Sequence, residues 1–582
     1  MQLPHIYDIA ELCYQKGVLH ALISPGSRSA PLTLAFARHA HLNTKVIPDE
    51  RAAAFMALGL AQQTQTPVVL ICTSGTAAFN YAPAVAEAFF QEVPLIILTA
   101  DRPPEWIDQK DGQTIRQQAL YGRHVKESYH LPDTYDHPDI TWHLNRLINE
   151  AINLALSDQQ GPVHINVPLR EPFYPATGEV ISFDRSPRII QKMQQQKSLS
   201  ENDWDQLASL WNQSKKILLA VGQYHFYEDD RVMLSNHLER LSEAYLIPIL
   251  ADAISNLSVL PLAALEEEVA WVRFQDLILS EKEQASLRPD LLITFGQSFI
   301  SKPFKQFLRK YPPTYHWHIQ ADGEVADTFQ ALTHWLPISP NAFLSGILTK
   351  LQFLKKKHAY KQQWYQSNQR AEQYTQEFFK ASSPFTELAA VKEVVQHLPS
   401  QSKLHLANSM PVRYVNYLGL PAHKGIHVFA NRGTSGIDGT NSTAVGCAWE
   451  SDTVVTILTG DMAFFYDRNA FWHPYLPANL RIIVLNNHGG GIFRIIRGAR
   501  EQAELDTYFE TEQSLNADAL AKEFGMAYHL ATDLDSLAVG LVDFFEKSAQ
   551  PKLLEVVTSS ITNAAVFEQF KELYVKREDS AI

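Results

Sequence analysis

The chain has 582 residues, of which 46% are hydrophobic and 19% are charged, and its formal net charge is −13 at pH 7. This length exceeds what one hydrophobic core supports and favours several domains. The negative charge gives no general electrostatic support to nucleic-acid binding. The three cysteines, Cys13, Cys72 and Cys447, lie far apart in the sequence, which favours a reducing compartment over a disulfide framework or a metal site.

The sequence shows no targeting or membrane signal. The first residues lack the basic segment and the apolar stretch of a signal peptide, and no run of about 18 apolar residues occurs in the chain. We therefore expect a cytoplasmic protein with no integral membrane segment.

Short apolar runs rich in β-branched residues alternate with longer helical patterns, as in α/β proteins with buried parallel strands. The first set of predicted strands is 18–24, 68–74, 95–99 and 163–167. The second set, 217–221, 246–250 and 291–295, follows a Pro-, Ser- and Gln-rich stretch near 175–201. The third set is 403–407, 454–458, 482–485 and 553–557.

A polar, helix-prone segment separates the second set from the third. It opens with three lysines at 355–357 and continues to about residue 381, and it is predicted to be a linker or an exposed helix. The three sets predict three doubly wound α/β domains with parallel sheets, at residues 1–180, 181–355 and 356–582.

Oxygen-bearing side chains stand at the ends of two strands of the third set. Gly460, Asp461 and Met462 close one apolar run, and Asn-Asn-His-Gly at 486–489 closes the next. A carboxylate, an amide and backbone carbonyls suit Mg²⁺ or Ca²⁺, which often share their coordination shell with phosphate oxygens. The simplest interpretation is a metal-bridged diphosphate. The alternative is that Asp461 caps a helix and that 486–489 is only a turn.

Arginines and hydroxyl groups follow strands of the first set. Ser-Pro-Gly-Ser-Arg-Ser at 24–29 comes directly after the first strand, where open parallel sheets bind ligands. Backbone N–H groups, hydroxyls and the Arg28 guanidinium suit an anion there, although the segment could equally be a strand-to-helix turn. Arg102 lies in 99–105 at the end of another strand, and a polar loop at 113–117 follows.

The last part of the chain repeats this placement of arginine. Arg413 comes soon after Asn408, Ser409 and Met410, and Arg432 opens the glycine-containing segment 431–439. Arginines that recur at strand ends of an acidic protein favour a substrate with more than one carboxylate.

Glu50 begins a predicted helix in Pro-Asp-Glu-Arg-Ala-Ala at 48–53. Taken alone, it is a first-turn glutamate stabilised by the helix dipole. Thr-Ser-Gly-Thr at 73–76 is a strand-to-helix turn that either binds a cofactor or only starts the helix.

Together these segments resemble thiamine-diphosphate enzymes. The segments 460–462 and 486–487 resemble the cofactor motif Gly-Asp-Gly followed by Asn-Asn, with Met462 in place of the last glycine. The resemblance is closest to the 2-succinyl-5-enolpyruvyl-6-hydroxy-3-cyclohexene-1-carboxylate synthase family of menaquinone biosynthesis. It is carried by 25–29, 49–51, 73–76, 99–105, 431–433, 435–439 and 487–493, which cover the first and last predicted domains in order.

The resemblance implies a bound thiamine diphosphate with Mg²⁺ or Mn²⁺. Asp461, Asn487 and the carbonyl of Gly489 would hold the metal. Glu50 would be catalytic and would hydrogen-bond the aminopyrimidine ring, and Ile437 is similar to the bulky apolar residue that keeps the cofactor bent. The other implied cofactor contacts are Thr73, Ser74, Gly75, Ser409, Arg432, Ser435, Gly436, Met462, Ile492 and Phe493.

The family joins 2-oxoglutarate to isochorismate with loss of CO₂, and both substrates are dicarboxylates. The implied substrate contacts are Ser27, Arg28, Arg102, Gln113, Lys302 and Arg413, with Ile492 and Phe493 as an apolar wall. Pro303 follows Lys302 where the family often has an arginine, a departure from the family pattern. The resemblance also implies a homodimer or homotetramer, in which two subunits supply the two halves of each site.

Rival functions fit less well. His-Gly-Gly-Gly at 488–491 looks like the oxyanion loop of a hydrolase, but the chain has no Gly-x-Ser-x-Gly elbow. A dinucleotide-binding Gly-x-Gly-x-x-Gly after an early strand is also missing. Another thiamine-diphosphate carboligase or decarboxylase, of the acetolactate synthase type, would share the metal motif, but pyruvate has a single carboxylate for the arginines to bind. A non-catalytic protein on the same fold also stays open.

Overall fold

The structure is a computed structural model that describes residues 4–134, 137–171, 173–175, 181–183, 185–193, 197–226, 228–260, 271–280, 285–351, 359–380 and 384–581. The chain divides into two compact units. Unit 1 comprises Met1–Gln195, Asn431–Asp452 and Ala463–Leu480, and unit 2 comprises Gln196–Ala430, Thr453–Met462 and Arg481–Ile582. No described helix is long and apolar enough to cross a membrane.

Unit 1 contains one parallel sheet of six strands. The strands are β1 His20–Ile23, β2 Asn43–Val46, β3 Val68–Cys72, β4 Leu95–Asp101, β5 Ser128–His130 and β6 Val163–Pro168. Their spatial order is β2-β1-β3-β4-β6-β5. The chain leaves β1 toward one edge and returns as β3 on the other side of β1. The carboxyl ends of β1 and β3 therefore form a topological switch point, the usual ligand position in open α/β sheets.

Unit 2 contains two further six-stranded parallel sheets. The second sheet is β7 Ile217–Val221, β8 Ile249–Ala251, β9 Trp271–Val272, β10 Leu291–Phe295, β11 Tyr315–Ile319 and β12 His334–Leu336, in the order β12-β11-β10-β7-β8-β9. The third is β13 Lys403–Leu406, β14 His427–Phe429, β15 Val455–Gly460, β16 Leu480–Asn486, β17 Ala527–Ala531 and β18 Lys552–Val557, in the order β14-β13-β15-β16-β18-β17. The third sheet repeats the strand order of the first, with its switch point between β13 and β15.

Helices connect the strands. The described α-helices are α1 Pro4–Gln15, α2 Ala30–Ala37, α3 Glu50–Thr64, α4 Thr76–Asn80, α5 Ala82–Phe90, α6 Pro138–Ala155, α7 Glu201–Gln213, α8 Glu228–Ala244, α9 Gln275–Ile278, α10 Lys302–Lys310, α11 Pro340–Lys350, α12 Ala359–Phe378, α13 Glu387–His397, α14 Met410–Leu418, α15 Thr440–Trp449, α16 Asp461–Tyr466, α17 Ile492–Ile495, α18 Asp518–Glu523, α19 Leu534–Val542 and α20 Ser560–Ala581. Short 3₁₀ helices lie at Pro104–Trp106, Gly122–His124, Ala253–Ser255, Leu257–Val259, Ala285–Leu287, Ala422–Lys424, Arg468–Phe471 and Ala499–Glu501, and a π-helix lies at Leu505–Glu510.

The sheets hold the strand ends in place because their centres are buried. In unit 1, Ile71 of β3 stands opposite Leu98 of β4, which in turn stands opposite Ile165 of β6, and all three belong to one core. Each such side chain stabilises the fold by about 1.5–3 kcal/mol through removal from water. The loops at the carboxyl ends therefore start from rigid positions.

The predicted fold class is confirmed. Every predicted apolar run overlaps a strand, although β8 starts only at Ile249 instead of residue 246. Leu246 has a φ of +58°, and Pro248 restricts the residue before it, so a regular strand cannot begin there. The strands without a prediction are short or interrupted by histidines, as in Tyr-His-Trp-His-Ile of β11.

The predicted polar segment after the second set does contain a helix, α12. It is not simply exposed, because Trp364 is fully buried. The three lysines at 355–357 and residue 381 lie outside the described residues. The described residues between 175 and 200 form neither a helix nor a strand.

Candidate active site

The loops after β1 and β3 meet at the switch point of the first sheet. A Cβ atom on Gly26 would lie 2.2 Å from the Cβ of Thr73, so only glycine allows this approach. Thr73 is 7% exposed, and its Oγ1 has no hydrogen-bond partner among the described residues. Gly75 has a φ of +88°, and its N–H donates to Gln117 Oε1 at 2.8 Å. A polar ligand at this edge would meet an uncommitted hydroxyl.

Two arginines lie near one another at the same edge. Arg28 is 8% exposed, its Nη1 donates to the carbonyl of Leu169 at 3.0 Å, and its guanidinium lies 4.5 Å from the centre of the Phe173 ring. Burial lowers the pKa of Arg28, and the positive charge of Arg102 lowers it further. Arg102 forms an ion pair with Asp111. An anionic ligand would relieve the repulsion between the two guanidinium groups.

Gln113 belongs to this edge through Ser74. The Ser74 hydroxyl donates to the carbonyl of Gln113 at 2.9 Å, and Gln113 Nε2 lies 3.4 Å from the carbonyl of Ser74. Gln113 has a φ of +62°, an uncommon conformation for a residue with a side chain. The structure thus brings Gln113 beside the turn at 73–75, while Ser27 is exposed at the neighbouring turn.

Glu50 is the first residue of α3. Asp49 caps the helix by accepting the N–H of Ala52 at 3.2 Å. The half-buried Glu50 carboxylate accepts a hydrogen bond from Asn80 Nδ2 at 3.3 Å. The helix N-terminus favours the negative charge, and Asn80 supplies an orienting contact that the sequence did not indicate.

The segment 431–439 is held by a glutamate from α5. Glu87 is 1% exposed, and its two carboxylate oxygens accept the N–H groups of Gly433 and Thr434, each at 2.7 Å. Four predicted site residues, Arg432, Ser435, Gly436 and Ile437, lie on this segment. Ile437 is 39% exposed and therefore available for contact with a ligand. A lone glutamate inside the otherwise apolar helix α5 is a sequence signal for a buried polar contact, although it does not identify the partner.

In unit 2, Asp461 lies directly after β15 and begins α16. It is 2% exposed, and its Oδ2 accepts a hydrogen bond from Gln513 Nε2 at 2.8 Å. The N–H groups of Met462 and Gly489 also donate to it, which joins the loops after β15 and β16. Burial raises the pKa of Asp461 to about 6. A nearby cation would favour the charged form of this carboxylate.

Asn487 follows β16, and the nitrogen and oxygen ends of its side-chain amide have different surroundings. Its Nδ2 donates to Glu387 Oε1 at 2.6 Å, whereas its buried Oδ1 has no hydrogen-bond partner among the described residues. Gly489 lies two residues after Asn487 and is buried. Its carbonyl accepts a hydrogen bond from the N–H of Gly491 at 3.0 Å. A buried amide oxygen without a donor, together with a carboxylate and a carbonyl, fits a hard divalent cation. The described residues contain no cluster of three or more His, Cys, Asp or Glu suited to a metal, so such a cation would depend on amide and backbone oxygens and on its ligand.

Glu387 joins this group from the start of α13, although no sequence motif indicated it. Burial raises its pKa to about 7, and the charge of Asp461 acts in the same direction. Hydrogen bonds from Asn487 and from the Tyr414 hydroxyl oppose that shift.

The helix α14 carries Ser409 at its N-cap position and Arg413 in its first turn. Ser409 has a φ of +73°, and the Arg413 guanidinium donates to its carbonyl. Burial lowers the pKa of Arg413, while the nearby charge of Asp276 opposes that effect. This arginine is held by the backbone of a strained turn, as expected for a positioned ligand contact.

A buried carboxylate connects α14 with the helix that begins at Lys302. Asp276 is 3% exposed and accepts hydrogen bonds from Asn416 Nδ2 at 2.5 Å and from the Ser301 hydroxyl at 2.7 Å. Ser301 caps α10 by accepting the N–H of Phe304 at 3.1 Å. Lys302 is the next residue and is exposed. The positions of Arg413 and Lys302 are therefore linked through one polar network.

The apolar residues after the metal motif lie on α17. Ile492 packs against the large core of unit 2, and the Phe493 ring centre lies 5.8 Å from that of Phe509. Both side chains are half-buried, so each keeps a face for a ligand.

The predicted site residues fall into two groups, one in each compact unit. Unit 1 contains Ser27, Arg28, Glu50, Thr73, Ser74, Gly75, Arg102, Gln113, Arg432, Ser435, Gly436 and Ile437. Unit 2 contains Lys302, Ser409, Arg413, Asp461, Met462, Asn487, Gly489, Ile492 and Phe493. In both groups, most of these residues follow the carboxyl ends of strands, and several of them lie at a switch point.

Comparisons with known proteins agree with this architecture. Residues 7–120 match the family described as "Thiamine pyrophosphate enzyme, N-terminal TPP binding domain". Residues 182–406 match the family described as "Middle domain of thiamine pyrophosphate". With three parallel α/β sheets and a cofactor motif at the strand ends, the chain is defined as an enzyme of the thiamine-diphosphate (thiamine pyrophosphate) class.

Relatives that match almost the whole chain identify one family within this class. A protein from Cytophaga hutchinsonii named 2-succinyl-5-enolpyruvyl-6-hydroxy-3-cyclohexene-1-carboxylate synthase is 46% identical over 571 residues, 97% of this chain and 98% of the relative. Proteins with the same name from Flavobacterium johnsoniae and Porphyromonas gingivalis are 39% and 36% identical, covering 97% of this chain and 98% and 96% of their own lengths. The chain belongs to this synthase family.

Proposed function

We propose that this protein joins 2-oxoglutarate to isochorismate with loss of CO₂. The product would be 2-succinyl-5-enolpyruvyl-6-hydroxy-3-cyclohexene-1-carboxylate, formed in menaquinone biosynthesis. The observation that carries the proposal is that positioned arginines accompany the cofactor motif at the carboxyl ends of the strands. Arg28 and Arg102 lie near one another at one edge, and Arg413 follows β13 in the third sheet. Guanidinium groups bind carboxylates strongly, and the two substrates together carry four carboxylates.

The cofactor contacts follow from the family and from the residues present. Thiamine diphosphate, when bound, supplies an electron sink that allows a 2-oxoacid to lose CO₂ and form a new carbon–carbon bond. We propose that Asp461, Asn487 Oδ1 and the Gly489 carbonyl hold its Mg²⁺ or Mn²⁺. Thr73, Ser74, Gly75, Ser409, Arg432, Ser435, Gly436, Met462, Ile492 and Phe493 would complete the cofactor contacts.

Glu50 is the proposed catalytic residue. Its carboxylate, oriented by Asn80, would hydrogen-bond a ring nitrogen of the aminopyrimidine and hold a proton there. Ile437, which exposes part of its side chain, would support the bent cofactor. The protein thus controls the protonation and the shape of the cofactor.

The remaining contacts would orient the substrates. Arg28, Arg102 and Arg413 would each bind a substrate carboxylate, while Ser27, Gln113 and Lys302 would add hydrogen bonds. Ile492 and Phe493 would exclude water from one side of the reacting atoms. Correct orientation of two substrates lowers the entropic cost of joining them.

The proposed assembly is a homodimer or a homotetramer. In thiamine-diphosphate enzymes, the domains that carry the equivalents of Glu50 and Asp461 come from two subunits, and this likeness supports the proposal. Unit 1 also exposes large apolar side chains, with Phe79 at 50%, Phe90 at 51% and Trp472 at 57% exposure. A second copy covering such a surface would stabilise the assembly. A catalytically active species with the mass of a monomer in light scattering would contradict this assembly.

We also propose three domains, with boundaries near residues 180 and 355, and a cytoplasmic location. The strands of the first, second and third sheets fall within 1–180, 181–355 and 356–582 respectively, which supports three domains. Limited proteolysis should cut near residues 180 and 355, and cuts confined to sheet interiors would contradict these boundaries.

All three cysteines are free and buried, which agrees with a reducing compartment. Recovery of the protein in a membrane or extracellular fraction would contradict the cytoplasmic location.

A substrate comparison tests the proposed function. The protein is incubated with thiamine diphosphate, Mg²⁺ and isochorismate, and the loss of isochorismate absorbance is followed after addition of either 2-oxoglutarate or pyruvate. We expect loss only with 2-oxoglutarate. Loss of isochorismate absorbance only after addition of pyruvate would contradict the proposal. Formation of acetolactate from pyruvate would instead support the acetolactate synthase type of activity.

A further inference from the structure

Glu387 is a buried carboxylate next to the proposed metal site. It is the first residue of α13 and is 2% exposed. Thr386 caps the helix, and the N–H of Glu387 donates to Asn563 Oδ1 at 3.0 Å. No described lysine, arginine or histidine forms an ion pair with it. A buried carboxylate is costly, so this glutamate needs a specific reason for its position.

Two donors hold the Glu387 side chain. Asn487 Nδ2 donates to Oε1 at 2.6 Å, and the Tyr414 hydroxyl also hydrogen-bonds the carboxylate. Tyr414 is fully buried on α14, the helix that carries Arg413. Glu387 therefore connects the loop after β16 with the helix that follows β13.

The contact with Asn487 determines the orientation of an amide. The oxygen and nitrogen ends of an asparagine side chain are nearly the same size, so shape alone does not distinguish them. In the structure, Glu387 Oε1 accepts the hydrogen bond from Asn487 Nδ2, and an ionised carboxylate offers no donor to the amide oxygen, so the NH₂ end faces Glu387. The oxygen must then point to the opposite side, where the structure leaves Oδ1 buried without a donor among the described residues.

We infer that Glu387 is a positioning residue that fixes the Asn487 amide with its oxygen directed to the divalent metal. The inference rests on the proposed function, because it assigns Oδ1 to the metal of the cofactor. Without an acceptor at position 387, the amide can rotate by half a turn and present its NH₂ group to a cation. A residue that orients a metal ligand affects metal affinity without touching the metal.

Mn²⁺ binding tests this role without any measurement of activity. The wild type, Glu387→Gln and Glu387→Asp are titrated with Mn²⁺, alone and with thiamine diphosphate, and free Mn²⁺ is followed by its paramagnetic resonance signal. Glutamine has nearly the same size but carries its own NH₂ group, which can donate to Asn487 Oδ1. We expect Glu387→Gln to bind Mn²⁺ about 10–100-fold more weakly. Aspartate keeps an acceptor-only group, and we expect Glu387→Asp to recover part of the affinity.

Asp467→Asn is the matched control. Asp467 is fully buried and accepts the N–H and the hydroxyl of Ser442, each at 2.8 Å, so this change also turns a buried carboxylate into an amide. We expect it to leave Mn²⁺ affinity unchanged. An equal loss in Asp467→Asn and Glu387→Gln would overturn the specific role of Glu387.

A double-variant cycle distinguishes positioning from general support of the fold. If Glu387 acts through Asn487, Glu387→Gln combined with Asn487→Ala should bind Mn²⁺ no more weakly than Asn487→Ala alone. Additive losses of affinity would overturn the inference. If circular dichroism shows that Glu387→Gln does not fold, the same cycle with Asn487→Ala is measured for Glu387→Asp and for Tyr414→Phe.

The Mn²⁺ titrations distinguish a failure of the proposed metal site from a failure of the role assigned to Glu387. If the wild type does not bind Mn²⁺ in the presence of thiamine diphosphate, the metal site is wrong and the inference falls with it. If the wild type binds Mn²⁺, Asp461→Ala does not, and Glu387→Gln binds like the wild type, then the metal site stands and the role of Glu387 is overturned.

Discussion

At the scale of single residues, carboxylates with different surroundings are suited to different tasks. Asp461 is almost fully buried at a strand end, where a cation can bind it. Glu50 is half-buried at a helix N-terminus and has an amide donor from Asn80. Arg28 combines burial with a backbone acceptor and an aromatic face, so its guanidinium is held in place by the protein alone. In the proposed site, these surroundings would separate cofactor activation by Glu50 from substrate binding by Arg28.

Glu50→Gln should abolish cofactor activation while substrate binding survives. Glutamine keeps nearly the same shape but cannot share a proton with the aminopyrimidine in the same way. Arg28→Ala and Arg413→Ala should instead keep activation and weaken capture of a dicarboxylate, each by about 1.5–3 kcal/mol if one charge-assisted hydrogen bond is lost. The measurements are hydrogen–deuterium exchange at C2 of the bound cofactor and steady-state kinetics. Exchange at the wild-type rate in Glu50→Gln would refute the role of Glu50.

At the scale of elements, the position of α14 depends on a polar network. Asn416 donates to Asp276 from α9 at 2.5 Å and accepts the N–H of Ala253 at 2.9 Å, so it attaches α14 to the second sheet of the same unit. Ser301, which caps the helix that begins at Lys302, donates to the same Asp276. The position of α14 relative to α10 therefore depends on buried hydrogen bonds as well as on apolar packing.

Asn416→Ala should impair both stability and substrate capture. The change removes one hydrogen bond from Asp276, which keeps the one from the Ser301 hydroxyl, and leaves the Ala253 N–H without its acceptor. This loss costs about 1–3 kcal/mol of unfolding free energy. Because Arg413 lies one turn earlier on α14, we also expect a higher KM for the dicarboxylate substrates. Denaturant unfolding and steady-state kinetics measure the two effects.

Asn368→Ala is the control for that experiment. Asn368 is 7% exposed, and its Oδ1 accepts the N–H of Arg273 at 2.8 Å, so a buried contact of the same kind is lost on another helix, α12. It should lose similar stability with little change in KM. A similar rise in KM for both variants would show that α14 has no special role.

At the scale of the whole molecule, alternation of apolar runs and helical patterns was enough to predict the parallel α/β class. The motifs that carry the proposed site residues were also visible in the sequence, because each is a local pattern, and the structure places most of them after strand ends. Their supporting partners were not: Glu87 contacts Gly433 at a sequence separation of 346 residues, and Glu387 contacts Asn487 at a separation of 100. Such contacts depend on the tertiary fold, since no local pattern joins the two residues.

Acid should destabilise the protein through buried histidines that stay neutral in the folded state. Burial lowers the pKa of His225 to about 4 and that of His405 to about 3, and it lowers the pKa of His427 well below 6.5. As the pH falls from 6.5 toward those values, the unfolded chain takes up protons that the folded chain excludes. Stability present above pH 6.5 is therefore lost, by up to about 1.4 kcal/mol per pH unit for each such group.

His225→Phe isolates one of these groups. The ring of His225 stacks on Phe429 at a centroid distance of 5.2 Å, and neither ring nitrogen has a hydrogen-bond partner among the described residues, so phenylalanine should be tolerated. Comparison with the wild type cancels the opposite effect of buried carboxylates such as Asp467, whose pKa burial raises to about 7. Unfolding free energies of the protein without added metal or cofactor, measured between pH 6.5 and 4.5, should depend less steeply on pH in this variant. An unchanged slope would contradict the prediction, and His397→Phe, at an exposed histidine, is the control.

The proposed joining of 2-oxoglutarate to isochorismate has a defined stoichiometry, which can be measured directly. Carboxyl-labelled 2-oxoglutarate is supplied with isochorismate, thiamine diphosphate and Mg²⁺, and labelled CO₂ is counted against isochorismate consumed. We expect one CO₂ released for each isochorismate consumed, with little release when isochorismate is omitted. Rapid release of CO₂ that does not depend on isochorismate, or consumption of isochorismate without CO₂, would contradict the proposed reaction.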